Sequence, residues 1–280
     1  MCRFAIYQGP PIPVSHLLVS TNHSLRKQSF ACRERRTPDN ADGYGLGWYG
    51  LGPLANLLHG ELPAHLDPVF EAAARSIVSH CFFGHVRAAG KGMHISVSNC
   101  HPFAFGNLLW MHNGMISGYD RIETKLREHV KGEGYMLRGN TDSEGSFALF
   151  LKNLKESSQT TLEGLKQAMI RTLRQLDQWR LELGIQDTHY LNFAVSDGTH
   201  IVATRFFQPG IFPLTLYMWQ GNSAEIAQWA KVGDVEAGPA VIIASEPLQD
   251  SSPGWKPVPI NHLVACAPGI FEVVPLQETA

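Results

Sequence analysis

Charge of one sign is missing from this chain. Its 280 residues carry 23 Lys+Arg against 25 Asp+Glu, a net charge of −2. With neither sign dominant, a nucleic-acid or membrane-surface partner is not expected. The one basic run, Arg33-Glu34-Arg35-Arg36, is short and broken by an acid. It reads as a solvated loop rather than an anion site. No stretch approaches the roughly 18 uninterrupted apolar residues of a membrane span. The first residues lack a charged segment followed by an apolar one, so no signal peptide is expected and the compartment predicted is the cytoplasm. Cysteine is sparse: Cys2, Cys32, Cys81, Cys100 and Cys266, an odd count with no C-x-x-C pair. Disulfides and a structural metal are therefore not expected. Repeats, low-complexity tracts and linkers are also missing, which predicts one domain over residues 1–280.

What is present is globular. The hydrophobic fraction is 44% and the charged fraction 17%, enough for a large core. A strand is predicted over residues 3–7, then a Pro-rich turn and a short helix over 14–19. Residues 42–49, Asp-Gly-Tyr-Gly-Leu-Gly-Trp-Tyr, alternate glycine with larger groups, a strand with close backbone approach. Asp67-Pro68 opens a helix with an N-cap and a first-turn proline. Residues 81–87 and 108–112 read as strands, the second ended by a turn at Asn113-Gly114. A helix is predicted over 119–130, and Thr141 with Glu144 forms a capping-box pattern ahead of an apolar run. Apolar residues at three- and four-residue spacing predict a helix over 162–183, ending at Gly184. Later strands are predicted over 190–195 and 200–205, paired as a hairpin, and over 214–219, 240–244 and 261–266. Strands, then helices, then strands again imply an α+β fold with antiparallel sheets.

Cys2 is the odd residue. Removal of Met1 would leave a thiol and a free α-amine on one residue. With a pKa near 7.7–8.0, that amine is partly neutral at physiological pH and can serve as general base to its own thiol. A chain that keeps Met1 has blocked this amine and is expected to be inactive. Acyl transfer also needs oxyanion donors and groups that hold the substrate. Arg87, leaving a hydrophobic strand, can present a planar fork to a carboxylate. The Asn113 amide and the Gly114 N–H can converge on one oxygen. Asp142, at a helix start, can hold an ammonium group. Each also has an ordinary reading: a strand-exit Arg, a turn, and a helix start favouring acids. Together they outline a site for an α-amino acid with a side-chain amide.

The segments Met1-Cys2-Arg3-Phe4, Asn40 to Tyr49, Gly84-His85-Val86-Arg87-Ala88-Ala89, Asn99-Cys100-His101-Pro102-Phe103, His112-Asn113-Gly114 and Thr141-Asp142-Ser143-Glu144 occur in an order that resembles the class II glutamine amidotransferases of the N-terminal nucleophile (Ntn) hydrolase superfamily. The resemblance is to the stand-alone branch that includes the ergothioneine-pathway γ-glutamyl amidohydrolase. Ala244-Ser245-Glu246-Pro247-Leu248 is a further, less specific likeness. The resemblance implies a four-layer α-β-β-α sandwich of two antiparallel sheets and no cofactor or metal. It implies hydrolysis of glutamine or a γ-glutamyl conjugate through a thioester on Cys2. Asn113 and Gly114 would stabilise the oxyanion, Arg87 the α-carboxylate and Asp142 the α-amine. His101 is expected to position neighbours, Trp48 with Gly47 to wall the pocket, and His85 and His112 to be packed histidines. The partner is a small-molecule substrate. A separate ammonia-accepting synthase is the second catalytic possibility, with the hydrolase favoured because no acceptor domain is fused. A non-catalytic sensor of glutamine or a γ-glutamyl compound is the reading from another class.

Overall fold

The computed structural model describes residues 2–34, 39–90, 94–157, 160–208, 212–233, 235–250 and 254–276. In chain order the elements are strand β1 (Arg3–Pro13), helices α1 (Ser15–Leu18) and α2 (Leu25–Ala31), and strands β2 (Tyr44–Tyr49) and β3 (Ala55–Gly60). Helix α3 (Pro68–Ser76), strand β4 (Val78–Val86), a 3-10 turn (Val97–Asn99) and strands β5 (Phe103–Phe105) and β6 (Leu108–Met115) follow. Next come helices α4 (Tyr119–His129), α5 (Asp142–Ser157) and α6 (Leu162–Glu182), then strands β7 (Tyr190–Ser196), β8 (Ile201–Phe207) and β9 (Tyr217–Asn222). Helix α7 (Ser223–Ala230) and strands β10 (Pro239–Ala244), β11 (Lys256–Pro257), β12 (His262–Ala267) and β13 (Ile270–Pro275) complete the chain. The class is α+β with two antiparallel sheets. No helix among the described residues is long and apolar enough to cross a membrane.

The chain divides into two compact units, Met1–Leu109 with Thr215–Pro257, and Trp110–Leu214 with Val258–Ala280. The first contains a seven-stranded sheet in the order β11-β9-β10-β1-β4-β2-β3. Strand alternation sorts its residues. Ala5 and Tyr7 of β1, Tyr44 and Leu46 of β2, Phe82 and Val86 of β4, and Ile242 and Ala244 of β10 share one face. There they pack on Leu17, Leu18, Leu25, Phe70 and Ile226 of the helices. Burial of each such side chain contributes about 1.5–3 kcal/mol. The opposite face carries Phe4, Ile6, Phe83 and Ile243, equally buried.

The second unit contributes most of a six-stranded sheet, ordered β13-β12-β8-β7-β6-β5. Trp110 of β6 packs on Phe147 and Phe150 of α5 and on Phe193 of β7, with centroids 5.8, 5.0 and 4.7 Å apart. Asn153 of α5 donates to Thr172 of α6 at 3.0 Å, which satisfies a buried amide between two helices.

Several expectations need correction. The prolines after Tyr7 do not end β1. The strand runs to Pro13, with a register shift between Gln8 and Ile12 that absorbs the missing donors. Asn113-Gly114 is not a turn; β6 passes through it to Met115. The capping box at α5 is half formed. Thr141 accepts from the Glu144 N–H at 3.1 Å, but the Glu144 carboxylate turns to the Arg138 and Gly139 N–H groups at 2.8 and 2.7 Å. Strand β9 starts three residues later than predicted. Helices α2 and α7 and strands β3, β5, β11 and β13 lie outside the elements that the sequence predicts. Met1, Arg35 and Arg36 lie outside the described residues; Arg33 and Glu34 are exposed.

Candidate active site

In the first unit, Arg3 pairs with Val86 across β1 and β4. That register brings Cys2, just ahead of β1, level with Arg87, just past β4. By alternation both belong with the Phe4 and Phe83 face, opposite the helices. The Cys2 sulfur accepts from the Ala88 N–H at 3.4 Å and its S–H donates to the Ala88 carbonyl at 3.7 Å. Cys2 is partly buried and free.

Asp42 braces this segment. Its N–H donates to the Arg87 carbonyl at 3.0 Å, and its carboxylate accepts from the Ala89 N–H at 2.8 Å. The Arg87 N–H in turn donates to the Gly43 carbonyl at 2.8 Å. Gly43 has φ +106°, and a Cβ there would lie 2.8 Å from the Gly60 carbonyl and 2.9 Å from the Cys100 sulfur. Only glycine fits.

Arg87 itself is 3% exposed. Its Nη1 reaches the Asp42 carbonyl at a long 3.4 Å. Its Nη2 is buried with no partner among the described residues, and no carboxylate among them pairs with it. A buried cation left this way is costly unless an anion joins it. Cys100, nearby, is unsuited to chemistry, because burial pushes its thiol up to about 11.

His101 is buried, its ring 4.2 Å from His85 and 4.8 Å from Phe103. Glycine at position 45 makes room, since a Cβ there would lie 1.9 Å from the His101 carbonyl. Trp48 corrects an expectation. It packs with the cluster of Tyr44 and Leu46 under the helices. Alternation therefore sets it on the face opposite Gly47 and Cys2, and the structure does not bring it to them.

In the second unit, Asn113 is buried within β6. A Cβ on Gly114 would lie 1.8 Å from the Tyr190 carbonyl, so close strand packing alone demands glycine there. Asp142 is partly buried; its Oδ2 accepts from the Ile116 N–H at 2.7 Å. His112 stands beside it. The Tyr190 carbonyl, 3.0 Å from Nε2, can only accept, so Nε2 carries a proton, and Nδ1 lies 2.9 Å from the Ser143 hydroxyl. Burial lowers the His112 pKa against the pull of Asp142. Ser143 Oγ also lies 3.1 Å from Asp142 Oδ1. No cation among the described residues pairs with Asp142.

Two features escaped sequence reasoning. Asp42 lies in a quoted motif, but nothing in its spacing announces the brace to Ala89. Arg3 and Glu246, both 1% exposed and 2.5 Å apart, form a buried ion pair; 243 residues separate them, and pattern reading offers no link.

Comparison with known proteins identifies the family. A sequence model of the family "Glutamine amidotransferases class-II" matches residues 15–279. The chain is 34% identical over 293 residues to "Probable glutamine amidotransferase DUG3" of Saccharomyces cerevisiae, covering 94% of this chain and 81% of that one. It is 28% identical over 266 residues to the gamma-glutamyl-hercynylcysteine sulfoxide hydrolase of Mycobacterium tuberculosis, covering 94% and 92%. Among solved structures, a glutamine aminotransferase class-II domain protein from Silicibacter pomeroyi superposes with a TM-score of 0.69 at 22% identity, over 99% of this chain and 100% of that one. The glutamine phosphoribosylpyrophosphate amidotransferase of B. subtilis superposes with a TM-score of 0.62 at 16% identity, over 100% of this chain and 50% of that one. These two show the shared fold.

Proposed function

The chain belongs to the class II glutamine amidotransferases and is an enzyme of that family, and from this we propose that Cys2, freed of Met1, is a nucleophile that cleaves γ-glutamyl amides. The sulfur attacks the side-chain carbonyl while the α-amine takes the thiol proton. The C–N bond then breaks, the amine departs with that proton, and water hydrolyses the thioester to glutamate. Arg87 holds the α-carboxylate and Asp142 the α-ammonium. The Asn113 amide and the Gly114 N–H steady the oxyanion, and His101 positions its neighbours. The observation that supports this most is the buried Arg87 guanidinium with its unpartnered Nη2, one residue from the Ala88 amide that holds the Cys2 sulfur. A guanidinium left open is a preformed carboxylate receptor.

The substrate we favour is a γ-glutamyl conjugate whose leaving group is an amine larger than ammonia. The similarity to a γ-glutamyl hydrolase over 92% of that enzyme's length supports this choice. We further propose that the protein works in the cytoplasm as a single domain. The test is a panel of glutamine and γ-glutamyl amines on Met1-free protein, beside Cys2→Ala. Release of glutamate from a conjugate at least about tenfold faster than from glutamine is the expected result. Preference for glutamine would point instead to ammonia supply for a separate synthase. Binding without turnover would mark a sensor.

A further inference from the structure

We propose that Glu246 is a positioning residue for the Cys2 nucleophile, acting through the guanidinium of Arg3. The inference rests on the reading of Cys2 as nucleophile and deepens it.

An N-terminal nucleophile has chain on one side only, and chain ends fray unless tied down. Here the tie comes from behind the sheet. Arg3 alternates to the face opposite Cys2, yet its Nη1 turns back to donate to the Cys2 carbonyl at 2.8 Å. Its Nε donates to Glu246 Oε1 at 2.5 Å. One planar fork thus joins the nucleophile's own carbonyl to a buried carboxylate.

That carboxylate is itself immobile. Oε1 also accepts from the Glu34 N–H at 3.1 Å. Oε2 accepts from the Arg33 N–H at 2.9 Å and from His23 Nε2 at 2.7 Å. Four donors fill the four lone-pair positions of the group. The preceding residue fastens the same strand. Ser245 donates its N–H to the Phe4 carbonyl at 2.9 Å and accepts from the Phe4 N–H on Oγ at 3.0 Å. The end of β10 therefore clamps the first two residues of β1, and Arg3 extends the clamp to Cys2. Fixing that carbonyl restrains rotation about the Cys2 Cα–C bond and so sets where the sulfur and the amine point. A lysine at position 3 could keep the charge but not the fork.

The experiment uses full-length, Met1-free protein carrying Glu246→Gln, Arg3→Lys or Cys2→Ala. Turnover of L-glutamine and of L-γ-glutamyl-p-nitroanilide is measured, together with alkylation of Cys2 by a glutamine-mimicking diazoketone. Iodoacetamide labelling of the four buried cysteines reports on folding. In Glu246→Gln, kcat falls about 10- to 100-fold with KM within about threefold, the effect of misaiming a reacting atom. Diazoketone alkylation slows in step, and the buried cysteines stay protected. A kcat within about twofold of the parent overturns the proposal. If Glu246→Gln exposes the buried thiols, Arg3→Lys decides. A loss of about tenfold or more in kcat with thiols protected supports the proposal, and a loss under about twofold overturns it. A dead Cys2→Ala beside an active Glu246→Gln sinks the positioning role alone. An active Cys2→Ala sinks the nucleophile, and the positioning role with it.

Discussion

Two arginines of the first unit are both buried and have opposite circumstances. Arg3 is 1% exposed and satisfied: a carboxylate at 2.5 Å and a carbonyl at 2.8 Å occupy its fork. Arg87 is 3% exposed and under-satisfied, with one contact at 3.4 Å and an unpartnered Nη2. Low dielectric surroundings punish an unpaired charge and reward a paired one. The first arginine is therefore a strut of the fold. The second finds no carboxylate among the described residues, and the proposed function gives it the substrate's. Composition treats the two alike, and only their partners separate structure from function.

Substitution should break the comparison cleanly. Arg3→Met breaks a buried ion pair and leaves the Glu246 carboxylate to His23 and two backbone N–H groups; the loss of the cation should cost about 3–5 kcal/mol. At about 2–4 °C per kcal/mol, that lowers Tm by roughly 10 °C in differential scanning calorimetry. Arg87→Met removes a charge that had no partner, so Tm should hold or rise.

Acid should find the same strut. Burial alone would raise the Glu246 carboxyl. His23, Arg3 and the Arg33 N–H overcome it and bring the pKa from 4.5 down to about 2. The unfolded chain then takes up this proton first as pH falls. The stabilisation is complete above pH 4.5 and is lost on the way to pH 2, roughly 3 kcal/mol in all. Urea unfolding of Glu246→Gln across that window should lack this component.

Substrate binding should show the other half of the contrast. Arg87→Met loses a charge-assisted contact worth about 1.5–3 kcal/mol, so KM for the γ-glutamyl substrate rises about 10- to 100-fold. A KM unchanged in that variant would show that the anion receptor lies elsewhere.

The smallest effect lies in the second unit. His189 accepts from the Ser117 N–H on Nδ1 at 3.1 Å and faces the Leu176 carbonyl with Nε2 at 3.3 Å, which holds it neutral. Burial brings its pKa from 6.5 down to about 4. As pH falls below 6.5, the unfolded state protonates first, so stability drops by about 2 kcal/mol between pH 7.5 and pH 5. His189→Gln should flatten that part of the curve.

The sequence carried much of this, unevenly. Asp67 caps α3 as its spacing requires, accepting from the Val69 N–H at 2.9 Å, because an N-cap is a local device. The glycines at 45 and 47 announced close approach, and the His101 carbonyl and the Leu109 side chain are what approach. Asn113-Gly114 misled because a glycine required by the Tyr190 carbonyl looks the same in sequence as one required by a turn. The segment 8–13 misled because a bulged strand tolerates prolines that ordinary pairing forbids. Trp48 misled because motif membership says nothing about which face of a strand a residue occupies. Arg3 and Glu246 stayed invisible because their bond spans the chain, and no local pattern encodes a partner so distant.

The most direct measurement is intact and peptide mass spectrometry of Met1-free protein after exposure to a glutamine-mimicking diazoketone. One adduct per chain is expected, on Cys2, formed far more slowly on protein that keeps Met1 and not at all on Cys2→Ala. An adduct on another residue, or equal reactivity with Met1 in place, would contradict it.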